Sequence, residues 1–237
     1  MMLLELKNII VYRGKNIIID KVSLYISKGS WTGIIGANGS GKTTFLQAIS
    51  GRSNIQSGEI YFGEKDYSNN REGLASEIGF GCNIFDLPQH LTAYQLIQLL
   101  QNGKAEKHAF LKPILGIDGF INRPIEELSS GTKQKIAIYL AFLRDPELVV
   151  LDEPFNWLDP VVAFDLKQAF KHLTEEGMTL ITALHDISTF GQYCTDGMLM
   201  TANKLPLIID KDTIEIGRAD IAGFERKIIE ELRNNNI

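Results

Sequence analysis

Residues 36–43 read GANGSGKT, the pattern GxxxxGK[ST]. Gly36, Gly39 and Gly41 lack a Cβ, so the backbone N–H groups of this loop can converge on one anion. Ile34 and Ile35 lead into the loop as an apolar strand, and Thr43, Phe45, Leu46 and Ile49 follow it in a helical pattern. A helix N-terminus then adds its dipole at the same point. The chemistry is phosphate binding. Lys42 is placed to reach the β- and γ-phosphates, and the Thr43 hydroxyl is placed for a magnesium ion. Asn38, Ser40 and Thr44 complete the candidate contacts of the loop. A glycine-rich strand-to-helix turn without a ligand gives Lys42 no reason to point into such a nest.

A second cluster stands at 147–154, ELVVLDEP, where four apolar residues end in Asp152 and Glu153. Acidic residues at strand ends are often merely solvated. Beside a phosphate loop they have work to do: Asp152 to orient a metal-bound water, and Glu153, projecting differently, to polarise an attacking water.

Elements of two kinds must hold these groups. Strand-like runs occur at 3–12, 17–26, 31–35, 59–62, 77–80, 148–151, 179–184, 197–200 and 205–209. Those at 148–151 and 179–184 are rich in Leu, Val, Ile and Thr, as in strands covered on both faces of a parallel sheet. Helical runs at 42–50, 160–175 and 187–193 follow several of them, which predicts an α/β sheet layered with helices. The opening meander, 3–26 with a turn at 13–16, reads as antiparallel. Residues 91–144 are mostly helical and read as a lobe inserted between core segments 1–90 and 145–237. A charged helix at 220–233 closes the chain.

Residues 128–135 read LSSGTKQK, ahead of the acidic strand. Ser129, Ser130 and Gly131 before a helix at 133–143 offer hydroxyls and free amides to an anion; alone, they read more readily as an ordinary serine N-cap. In this order and spacing, LSSGT resembles the LSGGQ signature of ATP-binding cassette (ABC) ATPases, and the resemblance extends over about 4–200. It implies one cassette, an α/β P-loop NTPase (RecA-like) core with an N-terminal antiparallel β subdomain and an inserted helical subdomain. ATP and Mg²⁺ are the implied cofactors. Tyr12 takes the place of the aromatic that stacks on adenine, although a strand tyrosine is more often simple packing. EPFNWLDP, 153–160, resembles the acidic strand running into the D-loop, with Asp159 as its aspartate; Trp157 has no counterpart in that pattern. His185 in TALHDIS matches the switch histidine that contacts the γ-phosphate.

The family's strand at 77–80 leads into a loop whose first residue is a glutamine that helps bind Mg²⁺ and water. The aligned residue is Asn83, one methylene shorter, with Gln89 beyond it as the alternative. Cys82 then reads as strand-end packing. Such cassettes act as head-to-tail dimers, so Ser129, Ser130 and Gly131 are expected to act on a partner cassette's nucleotide, while a transmembrane permease docks on the helical lobe. The shape of 128–154 leans toward the exporter-like branch. A soluble cassette of iron–sulfur cluster assembly is the alternative.

The bulk numbers agree. A net charge of −5 over 237 residues gives no expectation of nucleic-acid binding. Cys82 and Cys194 form no CxxC pair, which argues against a disulfide framework or a structural zinc and for a reducing cytoplasm. The start lacks the order of a secretory signal, and no apolar run approaches the ~20 residues of a bilayer span. The expected location is the cytoplasmic face of the membrane, held there through the permease and without direct insertion.

Overall fold

The computed structural model describes residues 1–101, 107–201 and 206–234. Two sheets carry the architecture. The first has the order β2-β1-β4-β5, formed by β1 (Met2–Arg13), β2 (Asn16–Ser27), β4 (Ser57–Phe62) and the two-residue β5 (Lys65–Asp66), all antiparallel. The second has the order β10-β9-β3-β8-β7-β6, formed by β3 (Trp31–Gly36), β6 (Ile78–Gly81), β7 (Leu148–Asp152), β8 (Thr179–Leu184), β9 (Asp196–Met200) and β10 (Leu207–Ile209). Its neighbours pair in parallel apart from β10, which runs antiparallel along β9.

The period of two explains why β7 and β8 are buried and mostly apolar on both faces. Leu148, Val150 and Ile181 face one apolar layer, with α1 (Lys42–Ile49) and the antiparallel sheet. Val149, Leu151 and Leu180 face the other, with helices α5 (Ser130–Phe142), α6 (Pro160–Glu175) and α7 (Ile187–Tyr193). Both faces are covered, so both must be apolar. Trp31 is fully buried on the second side, and its one polar atom, Nε1, donates to Thr182 Oγ1 at 2.8 Å. That bond removes the cost of burying an indole N–H.

Between β6 and β7 lie α3 (Ala93–Gln101), α4 (Leu111–Leu115), 3₁₀ turns at Ile117–Gly119 and Ile125–Glu127, and α5. Ile136, Ala137, Tyr139 and Phe142 of α5 join the apolar layer under β7, so this helix shares the core of the sheet.

Several boundaries differ from the sequence reading. Glu77 closes a helix, α2 (Arg71–Glu77), and the strand starts at Ile78. This helix buries Leu74 alone, so it shows no apolar period; its cap, Asn70 accepting from Gly73 N, holds it. A further helix, α8 (Lys211–Arg218), is capped by Asp210 and buries Ile214 alone. It precedes α9 (Ile221–Asn234). Of the run predicted at 205–209, Leu205 lies outside the described residues. The signature helix starts at Ser130, three residues before the predicted 133, because Ser129 caps it and Gly131 does not break it.

Candidate functional site

β3 is buried along its length and delivers Gly36 to the phosphate loop. A Cβ on Gly36 would sit 2.6 Å from Ser40 Oγ, and one on Gly41 would collide with Ile18 Cγ2. Gly39 and Gly41 adopt φ of +81° and +100°, a region that L side chains avoid. Ser40 N–H donates to Ala37 O at 3.1 Å, and Gly41 caps α1. Asn38 is exposed at the crest of the loop, and Thr44 is half-buried in the first turn of α1.

Lys42 is buried, and its Nζ donates to Gly36 O at 2.9 Å and to Ala37 O at 3.3 Å. It also lies 3.8 Å from Glu153 Oε1. Burial lowers its pKa; Glu153 and Asp152 oppose that. The ammonium is thus folded back onto the nest that it closes.

Asp152 ends β7, where its Oδ2 accepts from Thr43 Oγ1 at 2.5 Å. Its Oδ1 is buried without a partner, as is Ser40 Oγ. Burial raises the pKa of Asp152, with the Thr43 hydroxyl pulling the other way. An unpartnered buried carboxylate oxygen is costly, and a cation removes that cost. Among the described residues, no group of three His, Cys, Asp or Glu could cage a metal alone. Magnesium does not need one: it takes one or two carboxylates and completes its shell with phosphates and water. The Thr43–Asp152 pair fits that ion.

The chain then turns sharply. Glu153 takes φ +50° and Trp157 takes φ +66°, both left-handed. The turn aims Glu153 Oε1 at His185 Nε2, 2.5 Å away, and Glu153 Oε2 at Asn156 Nδ2, which donates at 2.6 Å. His185 follows the end of β8, next to β7 in the sheet. A cavity of about 190 Å³ opens here, lined by Thr43, Asn83, Asp152, Glu153, Asn156 and Trp157, among others.

The two candidate amides part company. Asn83 lines the cavity, with its Oδ1 accepting from Phe85 N at 3.0 Å. Gln89 is tied elsewhere: its Oε1 accepts from Lys133 Nζ at 3.1 Å and its Nε2 donates to Leu87 O at 2.6 Å.

Ser129 and Ser130 are exposed at the start of α5. Ser129 Oγ lies 2.8 Å from Thr132 Oγ1 and accepts from Thr132 N at 3.3 Å. A Cβ on Gly131 would collide with Trp157 O, so the signature turn and the turn after Glu153 are in contact. Asp159 caps α6 by accepting from Val162 N at 3.0 Å, which lowers its pKa, as does Lys135 Nζ at 3.6 Å. Tyr12 is 40% exposed and pairs with Ile17, beside the Ile18 that touches Gly41.

The sequence reading missed Asn156, which holds the second oxygen of Glu153, and Gln134, which reaches Pro154 O at 3.5 Å. The three-residue spacing from Glu153 to Asn156 was visible; the left-handed turn that brings the two together was not.

A profile of the ABC transporter family matches residues 19–156. The lantibiotic transport ATP-binding protein SrtF of Streptococcus pyogenes is 30% identical over 189 residues, covering 78% of this chain and 81% of that protein. The Fe(3+) ions import ATP-binding protein FbpC of Fusobacterium nucleatum is 33% identical over 182 residues, covering 73% of this chain and 48% of that protein. Among solved structures, the dimeric post-hydrolysis state of an ATP-binding cassette bound to ADP and Pi aligns with a TM-score of 0.74 at 26% identity, over 83% of this chain and 94% of that one.

Proposed function

We propose, for a chain that belongs to the ABC transporter family of ATPases, that it closes head to tail with a second cassette around two ATP molecules and drives a separate membrane permease. The observation that carries this reading is the convergence of Thr43, Asp152 and Glu153 on one cavity, with Lys42 at its back.

Each group then has a task. The loop amides and Lys42 hold the β- and γ-phosphates. Thr43 and Asp152 hold Mg²⁺, with Asn83 facing them through the cavity; the ion, when bound, neutralises charge on the phosphate oxygens. Glu153 accepts the proton of the attacking water as its oxygen bonds to the γ-phosphorus and the bond to the bridging oxygen breaks. ADP and phosphate result. His185 and Asn156 each hold one carboxylate oxygen of Glu153, which fixes the base before reaction; His185 also turns toward the γ-phosphate. Tyr12 stacks on the adenine. Ser129, Ser130 and Gly131 act on the nucleotide of the partner cassette, and Asp159 steadies the turn between the two sites.

The permease docks where residues 91–144, the helical subdomain, meet the core of 1–90 and 145–237. A groove of about 830 Å³ lies there, lined by Arg52, Phe80, Cys82, Leu100, Arg144 and Glu147, among others. Cys82 lines both this groove and the catalytic cavity, which gives the two a common wall. No described helix is long and apolar enough to cross a membrane. In this reading the cassette works from the membrane's inner face through its permease. The lean to export rests on the shape of residues 128–154. Substrate driven inward by the reconstituted complex would reverse it.

Glu153→Gln tests the chemistry. It keeps the shape and removes the base, so single-turnover hydrolysis should fall at least about a hundredfold. An ATP-bound dimer should then accumulate on size exclusion. Turnover near wild type would remove Glu153 from its role.

A further inference from the structure

We infer that Gln89 is a positioning residue for the partner's active site: it clamps the signature helix from the far end of the loop that starts at Asn83. The inference rests on the head-to-tail reading of Ser129–Gly131.

Residues 87–92 hold the signature from both sides. Upstream of it, Gln89 O accepts from Glu126 N at 3.0 Å, and Leu91 O accepts from Ile125 N at 2.9 Å. Thr92 forms an isolated antiparallel bridge with Pro124. Downstream, the Gln89 side chain accepts from Lys133 Nζ, one turn into α5. Its amide nitrogen is anchored on Leu87 O, with the carbonyl oxygen turned to the lysine. Leu87, Ile125 and Leu128 are buried in one apolar layer beneath these bonds.

The four residues 128–131 thus sit in a frame whose two ends are tied to one short segment. Six residues before Gln89 in the same loop stands Asn83, on the wall of the catalytic cavity. Movement of Asn83 with the chain's own nucleotide therefore pulls on Gln89, and through Lys133 on the serines offered to the partner's nucleotide. The Lys133 bond is charge-assisted and half-buried, which makes it the strongest single link in the frame. Because it acts through α5, its loss should lower kcat and leave the KM for ATP in place.

Mixed dimers of the full chain, purified through two tags, separate this role from its rivals. In one arrangement a chain carries both Lys42→Ala and Gln89→Ala, opposite a wild-type partner. The competent phosphate loop then faces the loosened signature, and ATPase turnover should fall about tenfold. In the other, Lys42→Ala and Gln89→Ala lie on opposite chains. The competent loop now faces an intact signature, and turnover should match the Lys42→Ala/wild-type dimer. Lys133→Met should reproduce both results, and Gln89→Glu, which keeps an acceptor for Lys133, should restore turnover. Equal losses in both arrangements would mean a structural role, and a loss confined to the second would make Gln89 the amide of its own site; either overturns the inference. Ser130→Arg in the same two arrangements serves as the control. If it shows no dependence on arrangement, the head-to-tail reading fails. If it does while Gln89→Ala does not, the clamp alone fails.

Discussion

The two halves of this catalytic surface are held by different means. The phosphate loop, Asp152 and Glu153 hang from β3, β7 and β8, whose backbones pair in register and whose side chains are buried on both faces. The signature turn hangs from a serine cap, a few backbone bonds to residues 89–91 and one lysine–glutamine bond. Displacing the first half means breaking a sheet. The second turns on links worth about 1 kcal/mol each, at the end of a helix, α5, that is itself anchored in the core of the sheet. The proposed closing and reopening needs that inequality: the cassette's own phosphate site would stay built while the surface offered to a partner moves.

The largest expected effect separates the fixed half from its mobile wall. Asp152→Asn keeps the acceptor for Thr43 and removes the charge, so the Mg²⁺ concentration for half-maximal hydrolysis should rise about a hundredfold. Asn83→Ala, on the loop facing it, should raise it by about tenfold or less, since an amide contributes less than a carboxylate. Gln89→Ala should leave it in place. If Gln89→Ala shifts the Mg²⁺ dependence and Asn83→Ala does not, the two amides have exchanged roles.

A smaller effect concerns what the fixed half costs. Burial raises the pKa of Asp152 above its unfolded value. Such a carboxyl favours folding when protonated: that contribution is complete below the unfolded pKa and is lost as pH rises through the raised one. Asn carries no such proton. The nucleotide-free Asp152→Asn protein should therefore melt higher than wild type near pH 7, with the gap closing as pH falls through the elevated range. A gap that widens toward acid would show that Asp152 is stabilised as a carboxylate.

Legibility in the sequence followed the same division. β7 and β8 were readable because burial on both faces leaves an apolar run, and α6 because its apolar positions repeat at helical spacing beside an Asp-Pro start. The phosphate loop was readable because glycines at fixed spacing have few other uses. What failed were elements held by polar caps: α2 on Asn70, α8 on Asp210, and the first turn of α5 on Ser129; α2 and α8 each bury a single apolar side chain. The placement of Gln89 was also beyond the sequence, since its partner Lys133 lies forty-four residues away. Trp157 stood out by type alone; the structure adds its left-handed backbone and its place on the cavity wall.

That backbone gives the smallest effect and the finest test of how the two halves meet. Trp157 is 69% exposed, so its ring does little for folding, while its carbonyl lies against Gly131 and its φ is +66°. A left-handed residue with a Cβ costs roughly 1–2 kcal/mol, from which the greater freedom of an unfolded glycine takes back roughly 0.5–1. Trp157→Gly should thus stabilise by about 0.5 kcal/mol, or ~1–2 °C for a chain of this size. Trp157→Ala removes the same indole and keeps the Cβ, so it should melt no higher than wild type. The difference between the two variants isolates the backbone from the ring. If both melt alike, the turn at Trp157 carries no strain, and its contact with Gly131 couples the two halves through fit alone.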